Sequence, residues 1–271
     1  NMAKVLDLEK HKAGIGTSTK PWWRDTDESP KELWDKVYKD NYLNWWHPDS
    51  KSGEGTVKQA ERRIGIINDI VKDYDIKTVM DIGCGDLYWA TRLDFRNITR
   101  YAGLEVSSEC VVQNLYKETN ILEIYQCDIT DPEDNKRFHF ARTFTHRQKG
   151  WDLVLLFDVL NHCIQSEIEE IISFLKKADV KYVLTNNFSL KRMEWENKEF
   201  ENTPEETGVW WPGHWDGKTK DVRNMPVNLD LHSDWNYKKV FSDEEFHLTT
   251  SESGTQMPQG NECIELYKLN D

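Results

Sequence analysis

VMDIGCGDLYWA, residues 79–90, is the stretch that orders the rest of the chain. A short apolar run bounded by turn residues predicts a buried strand, here closed by Asp81. Gly83 and Gly85 follow. Glycine adopts backbone conformations closed to other residues and lets the main chain approach a ligand. At the carboxyl end of the first strand of a doubly wound sheet, such a turn is placed to hold a nucleoside. A nicotinamide-binding fingerprint carries a third glycine, where the next helix packs closely on the strand. Tyr88 stands at that position, which argues against a dinucleotide and its pyrophosphate.

Outward from the turn the chain alternates. Short apolar runs at 77–82, 100–106, 121–127, 151–157 and 180–185 are separated by stretches able to form helices. This rhythm predicts a mostly parallel sheet with helices on both faces. Val57, Ala60, Ile64, Ile67, Ile70 and Val71 recur at helical spacing and predict an amphipathic helix over 56–74. Ser29, Pro30 and Glu32 form a capping box that starts a short helix through Trp34 and Val37. The segments 245–251 and 262–268 are joined by SGTQMPQGN, too short for a crossover, and are expected to pair antiparallel. The domain reading is a polar and helical extension over 1–55, folded over the site, then one domain over 56–271. A polar insertion at about 191–235 faces the acceptor.

Composition narrows the function. Lys and Arg number 35 against 48 Asp and Glu, a net charge of −13, and no basic run is present. Nucleic acid is therefore not expected as a partner, and EWENKEFENTPEE (194–206) would repel phosphates. The five cysteines are widely spaced without a CxxC pair to suggest zinc, and no cluster of carboxylates at ligand spacing supports a magnesium site, so no metal ligands are assigned. No apolar run approaches the ~20 residues of a membrane span, and a soluble, cytoplasmic protein with reduced thiols is expected. Twelve tryptophans stand out, with pairs at Trp22-Trp23, Trp45-Trp46 and Trp210-Trp211. Such flat amphipathic rings serve as core caps or as a wall for a ring-shaped ligand.

The pattern DxGxGxxxW, read from Asp81 to Trp89, resembles motif I of the class I S-adenosylmethionine-dependent methyltransferases. Glu105 stands where that family carries an acid for the two ribose hydroxyls, and Asp128 matches its residue near the adenine amino group. Asp158, in FDVLNH after the fourth strand, matches motif IV beside the methyl donor. The resemblance covers about 56–190 by motif and 240–269 by topology. SGEGT, DIGCGDLYW, YAGLEV, DVLNH and YVLTNNF together are more loosely similar to bacterial and large-virus methyltransferases of glycan decoration. The resemblance implies a Rossmann-like, doubly wound, seven-stranded sheet whose last strand is antiparallel, inserted between the fifth and sixth. It implies S-adenosyl-L-methionine as cofactor, held by Asp81, Gly83, Cys84, Gly85, Trp89, Glu105, Val106, Asp128, Ile129, Phe157 and Asp158. Ser52 and Gly53 are added from the SGEGT element.

For a hydroxyl acceptor, the proton has to leave as the methyl arrives, and a placed base contributes about 10²–10⁴-fold. His162 and Asp158 are the candidates, four residues apart, with His146 and His214 in reserve. Trp45, Trp46, Trp210, Trp211 and His214 are the expected acceptor surface, suited to a sugar, glycan or other small hydroxylated molecule. A protein side chain as acceptor, a nicotinamide oxidoreductase, and a binding module that has lost catalysis are the other readings.

Overall fold

The computed structural model describes residues 29–39, 50, 57–138, 150–160, 163, 165–189, 191, 229–231, 235–245, 247–250, 256–259 and 262–269. Two compact units divide them: Glu28–Val159 with Glu170–Leu184, and Leu160–Glu169 with Thr185–Asn270. The helices are α1 (Pro30–Lys39), α2 (Val57–Asp73), α3 (Ser108–Asn114) and α4 (Gln165–Lys177), with a further helical segment at 132–138. The strands are β1 (Thr78–Ile82), β2 (Arg100–Glu105), β3 (Leu122–Gln126), β4 (Trp151–Leu156), β5 (Val180–Phe188), β6 (Tyr237–Glu244), β7 (His247–Thr250), β8 (Gln256–Gln259) and β9 (Glu262–Leu269). Seven of them form one sheet in the order β3-β2-β1-β4-β5-β9-β6.

The order reverses between β1 and β4, where doubly wound sheets bind their ligands. β1 runs parallel to β2, Thr78 opposite Arg100 and Ile82 opposite Leu104, and parallel to β4, Val79 opposite Leu153. Every residue of β1 and β2 is buried, so these strands are largely apolar without alternation, with Asp81 and Glu105 as buried acids toward their carboxyl ends. The start of the sheet is tied by Asp152, whose Oδ2 accepts from the backbone N–H groups of Lys77 (2.9 Å) and Thr78 (3.0 Å).

At the other edge β9 pairs antiparallel with β6, Tyr237 opposite Leu269 and Glu244 opposite Cys263. Inside the second unit a polar cluster joins β5, β6 and β9. Asn187 Nδ2 donates to the Tyr267 hydroxyl at 2.7 Å and to Glu265, and Lys239 Nζ reaches Glu265 Oε1 at 2.5 Å and Asp230. Burial works against the charge of Glu265, but these donors outweigh it and hold its carboxyl below the usual range.

Two expectations need correction. The segment expected near 245–251 meets 262–268 at its first residue, where Glu245 N–H donates to the Glu262 carbonyl at 3.0 Å, but β7 pairs with β8 in a separate two-stranded ribbon, and the strand laddered with β9 is Tyr237–Glu244. β7 is exposed along its whole length, whereas β6 buries Tyr237 and engages Glu265 through Lys239. The expected loop SGTQMPQGN contains β8. In α2 the buried stripe is Ala60, Arg63, Ile67, Ile70 and Val71, while Val57 is exposed and Ile64 only half-buried. The expected capping box is present, with Ser29 N–H donating to Glu32 Oε2 at 2.9 Å and Glu32 N–H donating to Ser29 Oγ at 3.3 Å.

Candidate functional site

The turn after β1 passes through left-handed backbone at Gly83 (φ 69°) and Gly85 (φ 55°), which glycine adopts freely, and at Leu87 (φ 61°), where a side chain is disfavoured. Gly83 and Cys84 donate their N–H groups to the carbonyl of Leu104 at 2.8 and 3.1 Å, which carries the turn across the end of β2. Gly83 is exposed while the residues around it are buried, and a side-chain carbon there would stand 2.5 Å from Val159 Cγ2. Only glycine fits.

Two carboxyls converge beneath the turn. Asp81 is wholly buried; its Oδ2 accepts from Trp89 Nε1 at 2.9 Å and from the Tyr101 hydroxyl at 2.5 Å. Its Oδ1 is buried without a hydrogen-bond partner among the described residues. Glu105 is 4% exposed; its Oε2 accepts from Gly85 N–H at 3.0 Å and its Oε1 from Ser107 N–H at 2.9 Å. Burial pushes Asp81 up to about 6 against the opposing hydrogen bonds of Tyr101 and Trp89. It likewise pushes Glu105 up to about 7, despite the N–H donors of Ser107 and Gly85.

A wall of aromatic rings continues the site. Trp89 and Phe157 lie 5.6 Å apart, and the guanidinium of Arg63 faces both, 5.8 Å from Trp89 and 5.2 Å from Phe157. Arg63 NH1 donates to Asp158 Oδ2 at 2.5 Å, and Asp158 is itself held at φ 55° at the end of β4. One arginine thus links α2, the aromatic pair and the carboxylate read from sequence as a catalytic candidate. The carboxylate expected to orient His162 is engaged by Arg63.

At the end of β3 the half-buried Asp128 accepts from Thr130 N–H at 2.9 Å and Thr130 Oγ1 at 2.6 Å, folding its own loop, with Ile129 buried behind it. Val106 is half-buried beside Glu105, and Cys84 is buried under the turn. Ser50, buried, donates to Asp86 Oδ1 at 3.3 Å and so brings the chain before α2 against the turn. The structure therefore gathers Asp81, Gly83, Cys84, Gly85, Trp89, Glu105, Phe157 and Asp158 around the ends of β1, β2 and β4. Ser52, Gly53, Trp45, Trp46, His146, His162, Trp210, Trp211 and His214 lie outside the described residues. Among the described residues no three His, Cys, Asp or Glu side chains stand close enough to hold a metal, and no helix is long and apolar enough to cross a membrane.

Two residues escaped the reading of the sequence. Arg63 occupies the second place of the buried stripe of α2, and a charge on an apolar stripe is a visible signal. Asp35 is the other: its Oδ1 accepts from Ser107 Oγ at 2.7 Å and from Glu109 N–H at 2.9 Å, docking α1 on the start of α3. Separated by 72 residues, that pair leaves no local trace.

No family model matches the sequence, and no curated protein does. Solved structures do match in shape. An S-adenosylmethionine-dependent methyltransferase of Anabaena variabilis ATCC 29413 superposes with a TM-score of 0.56 at 11% identity, over 94% of this chain and 98% of that one. The N-methyltransferase NodS of Bradyrhizobium japonicum WM9, solved with S-adenosyl-L-homocysteine, gives 0.52 at 8% identity, over 87% and 100%. Magnesium protoporphyrin IX methyltransferase of Synechocystis PCC 6803, with bound S-adenosylmethionine, gives 0.50 at 12% identity, over 89% and 95%. At such identities the likeness is one of architecture: the chain has the Rossmann-like fold of the class I methyltransferases.

Proposed function

We propose that the protein is an S-adenosylmethionine-dependent methyltransferase. One observation carries the reading: a buried acid at the end of β2 engages the second glycine of a left-handed turn at the end of β1, beside a second buried acid with an unsatisfied oxygen. These groups fit a nucleoside bearing hydroxyl and ammonium donors. Gly83 and Gly85 allow close approach of the ligand, Glu105 accepts from the ribose hydroxyls, and Asp128 with Ile129 borders the base. Asp81, Trp89 and Phe157 form the inner wall. The bound sulfonium supplies an electrophilic methyl group. The protein's part is then alignment, which is worth roughly 7–11 kcal/mol for well-oriented reactants.

The acceptor we favour is a hydroxyl of a sugar or other small glycan-like molecule, supported by the tryptophan pairs and the acidic charge of the sequence. Asp158, about a third exposed at its side chain and fixed by Arg63, or His162 takes the acceptor's proton. The nicotinamide reading is disfavoured by the chain beyond the turn. Tyr88 is buried with the Arg92 guanidinium 3.7 Å over its ring, and the backbone continues as the single 3-10 turn Ala90–Arg92 instead of the long helix whose N-terminus would face a pyrophosphate.

Thermal unfolding with S-adenosylmethionine, S-adenosylhomocysteine, NAD and NADP tests the proposal. A ligand at about a hundredfold over its dissociation constant adds about 2.7 kcal/mol to stability. A raised midpoint with the sulfonium and thioether alone is expected. A shift with the dinucleotides alone, or with none of the four, overturns the reading.

A further inference from the structure

We propose that Asp35, in the helix ahead of the sheet domain, is a positioning residue of the nucleoside site that acts through Ser107 on Glu105. The proposal rests on the methyltransferase reading, because it concerns the acid assigned there to the ribose.

The chain of contacts is continuous. Asp35 Oδ1 accepts from Ser107 Oγ at 2.7 Å, from Ser108 Oγ at 3.3 Å and from Glu109 N–H at 2.9 Å, while its Oδ2 takes Lys31 Nζ at 2.6 Å. Lys31 Nζ also donates to Ser108 Oγ at 2.7 Å, so α1 grips this turn through two side chains. Ser107 caps α3, its Oγ accepting from Cys110 N–H at 3.1 Å. A hydroxyl has one proton to give. With that proton on Asp35 and a lone pair on Cys110, the fully buried Ser107 side chain is fixed. Its backbone N–H then points at Glu105 Oε1 (2.9 Å), and Gly85 N–H holds Oε2 (3.0 Å).

Glu105 is thus oriented from both sides, by the glycine turn and by a turn that α1 fastens. Each of its oxygens keeps lone-pair capacity for a ligand hydroxyl. Asp35 itself is well anchored as an anion: burial opposes its charge, but the donors from Glu109, Lys31, Ser107 and Ser108 outweigh it and hold its carboxyl down to about 2. Removing Asp35 frees the Ser107 hydroxyl to rotate and loosens the N–H that aims Glu105. The loss is then specific to whatever part of the ligand Glu105 reads. Linkage is reciprocal, so a ribose held by Glu105 also tightens α1 on α3.

The test is a calorimetric comparison of S-adenosylhomocysteine with its 2′-deoxy analogue on the full chain. Wild type is expected to bind the ribose form more tightly, and Glu105→Gln to lose that preference. A weakened hydrogen bond to a charged group corresponds to about a tenfold change in affinity. Asp35→Ala is expected to lose about that factor for S-adenosylhomocysteine and almost nothing for the 2′-deoxy analogue. In the Glu105→Gln background it should add no further loss. Asp35→Asn, whose one amide oxygen can accept from both Ser107 Oγ and Glu109 N–H as Oδ1 does now, is expected to restore most of the preference and serves if the alanine variant fails to fold. Equal weakening of both ligands by Asp35→Ala, or additive loss in the double variant, overturns the positioning role and leaves the methyltransferase reading standing. Failure of the wild type to bind S-adenosylhomocysteine overturns both.

Discussion

Asp81 and Glu105 are neighbouring carboxyls, both buried and both raised, to about 6 and about 7 from ordinary values of 3.8 and 4.5. Folding therefore favours their protonated forms, and between roughly pH 4 and 7 the folded chain binds more protons than the unfolded one. Their contribution to stability is fully present below pH 4 and is lost as the pH rises through 6 and 7. Ligand binding runs the other way. In the proposed role Glu105 accepts ribose hydroxyls, which favours the ionised carboxyl with all its lone pairs free, so binding would expel a proton. The affinity for S-adenosylhomocysteine is expected to rise with pH up to about 7, by at most about tenfold per pH unit, and then level off. Titrations across this range check it, and Glu105→Gln should flatten the profile. An affinity that is constant in wild type between pH 5.5 and 8 would falsify the role given to Glu105.

At the scale of elements, α1 is started by a capping box and fastened by one carboxylate. Exchanging Ser29 for alanine removes the hydroxyl that accepts from Glu32 N–H, a change worth about 1 kcal/mol at a helix start. Hydrogen exchange should then show α1 amides opening several-fold more often in Ser29→Ala, with β1 and β2 unaffected; equal protection in α1 would mean that docking alone holds the helix. The box was legible because it is a local pattern, as were β1 to β4: the apolar runs of β1, β2 and β4 coincide with fully or largely buried strands, and β3 buries Leu122 and Ile124 in alternation. β6 was not. YKKVFSDE carries little apolar signal and is placed by its ladder with β9 and by Lys239 reaching Glu265, contacts set by residues 26 positions away. EFHLTTS, richer in strand-forming residues, drew the prediction, and its HLTT part, His247–Thr250, is exposed in a ribbon. Intrinsic preference lost to packing there. The candidate site divides the same way: the glycine turn after Asp81 follows from local pattern and Glu105 from the motif resemblance, Arg63 left a signal in its stripe that went unread, and Asp35 reaches Ser107 across 72 residues without a local trace.

For the molecule as a whole, the excess of acids, −13 in total, means that the folded chain repels itself. Its stability at neutral pH is expected to rise with added salt, as the Debye length falls from ~30 Å at 0.01 M to ~8 Å at physiological ionic strength. The exposed pair Arg96–Asp94 works in the opposite direction, but exposed pairs contribute little. A thermal midpoint that drops with sodium chloride would mean that attractive pairs such as Arg63–Asp158 and Lys239–Glu265 dominate over the net charge.

The five cysteines are all buried and none is in a disulfide: Cys84 in the glycine turn, Cys110 in α3, Cys127 after β3, Cys163 ahead of α4 and Cys263 in β9. Burial raises the thiols of Cys84 and Cys110 well above their ordinary value, and those of Cys127 and Cys263 to about 12. Since the thiolate is the reacting form, alkylation of each waits on the opening of its own surroundings. The chain thereby carries five clocks of local breathing at five places in the fold. If the turn holds a nucleoside as proposed, alkylation of Cys84 is expected to slow when S-adenosylhomocysteine is added, which mass spectrometry of the labelled peptides checks.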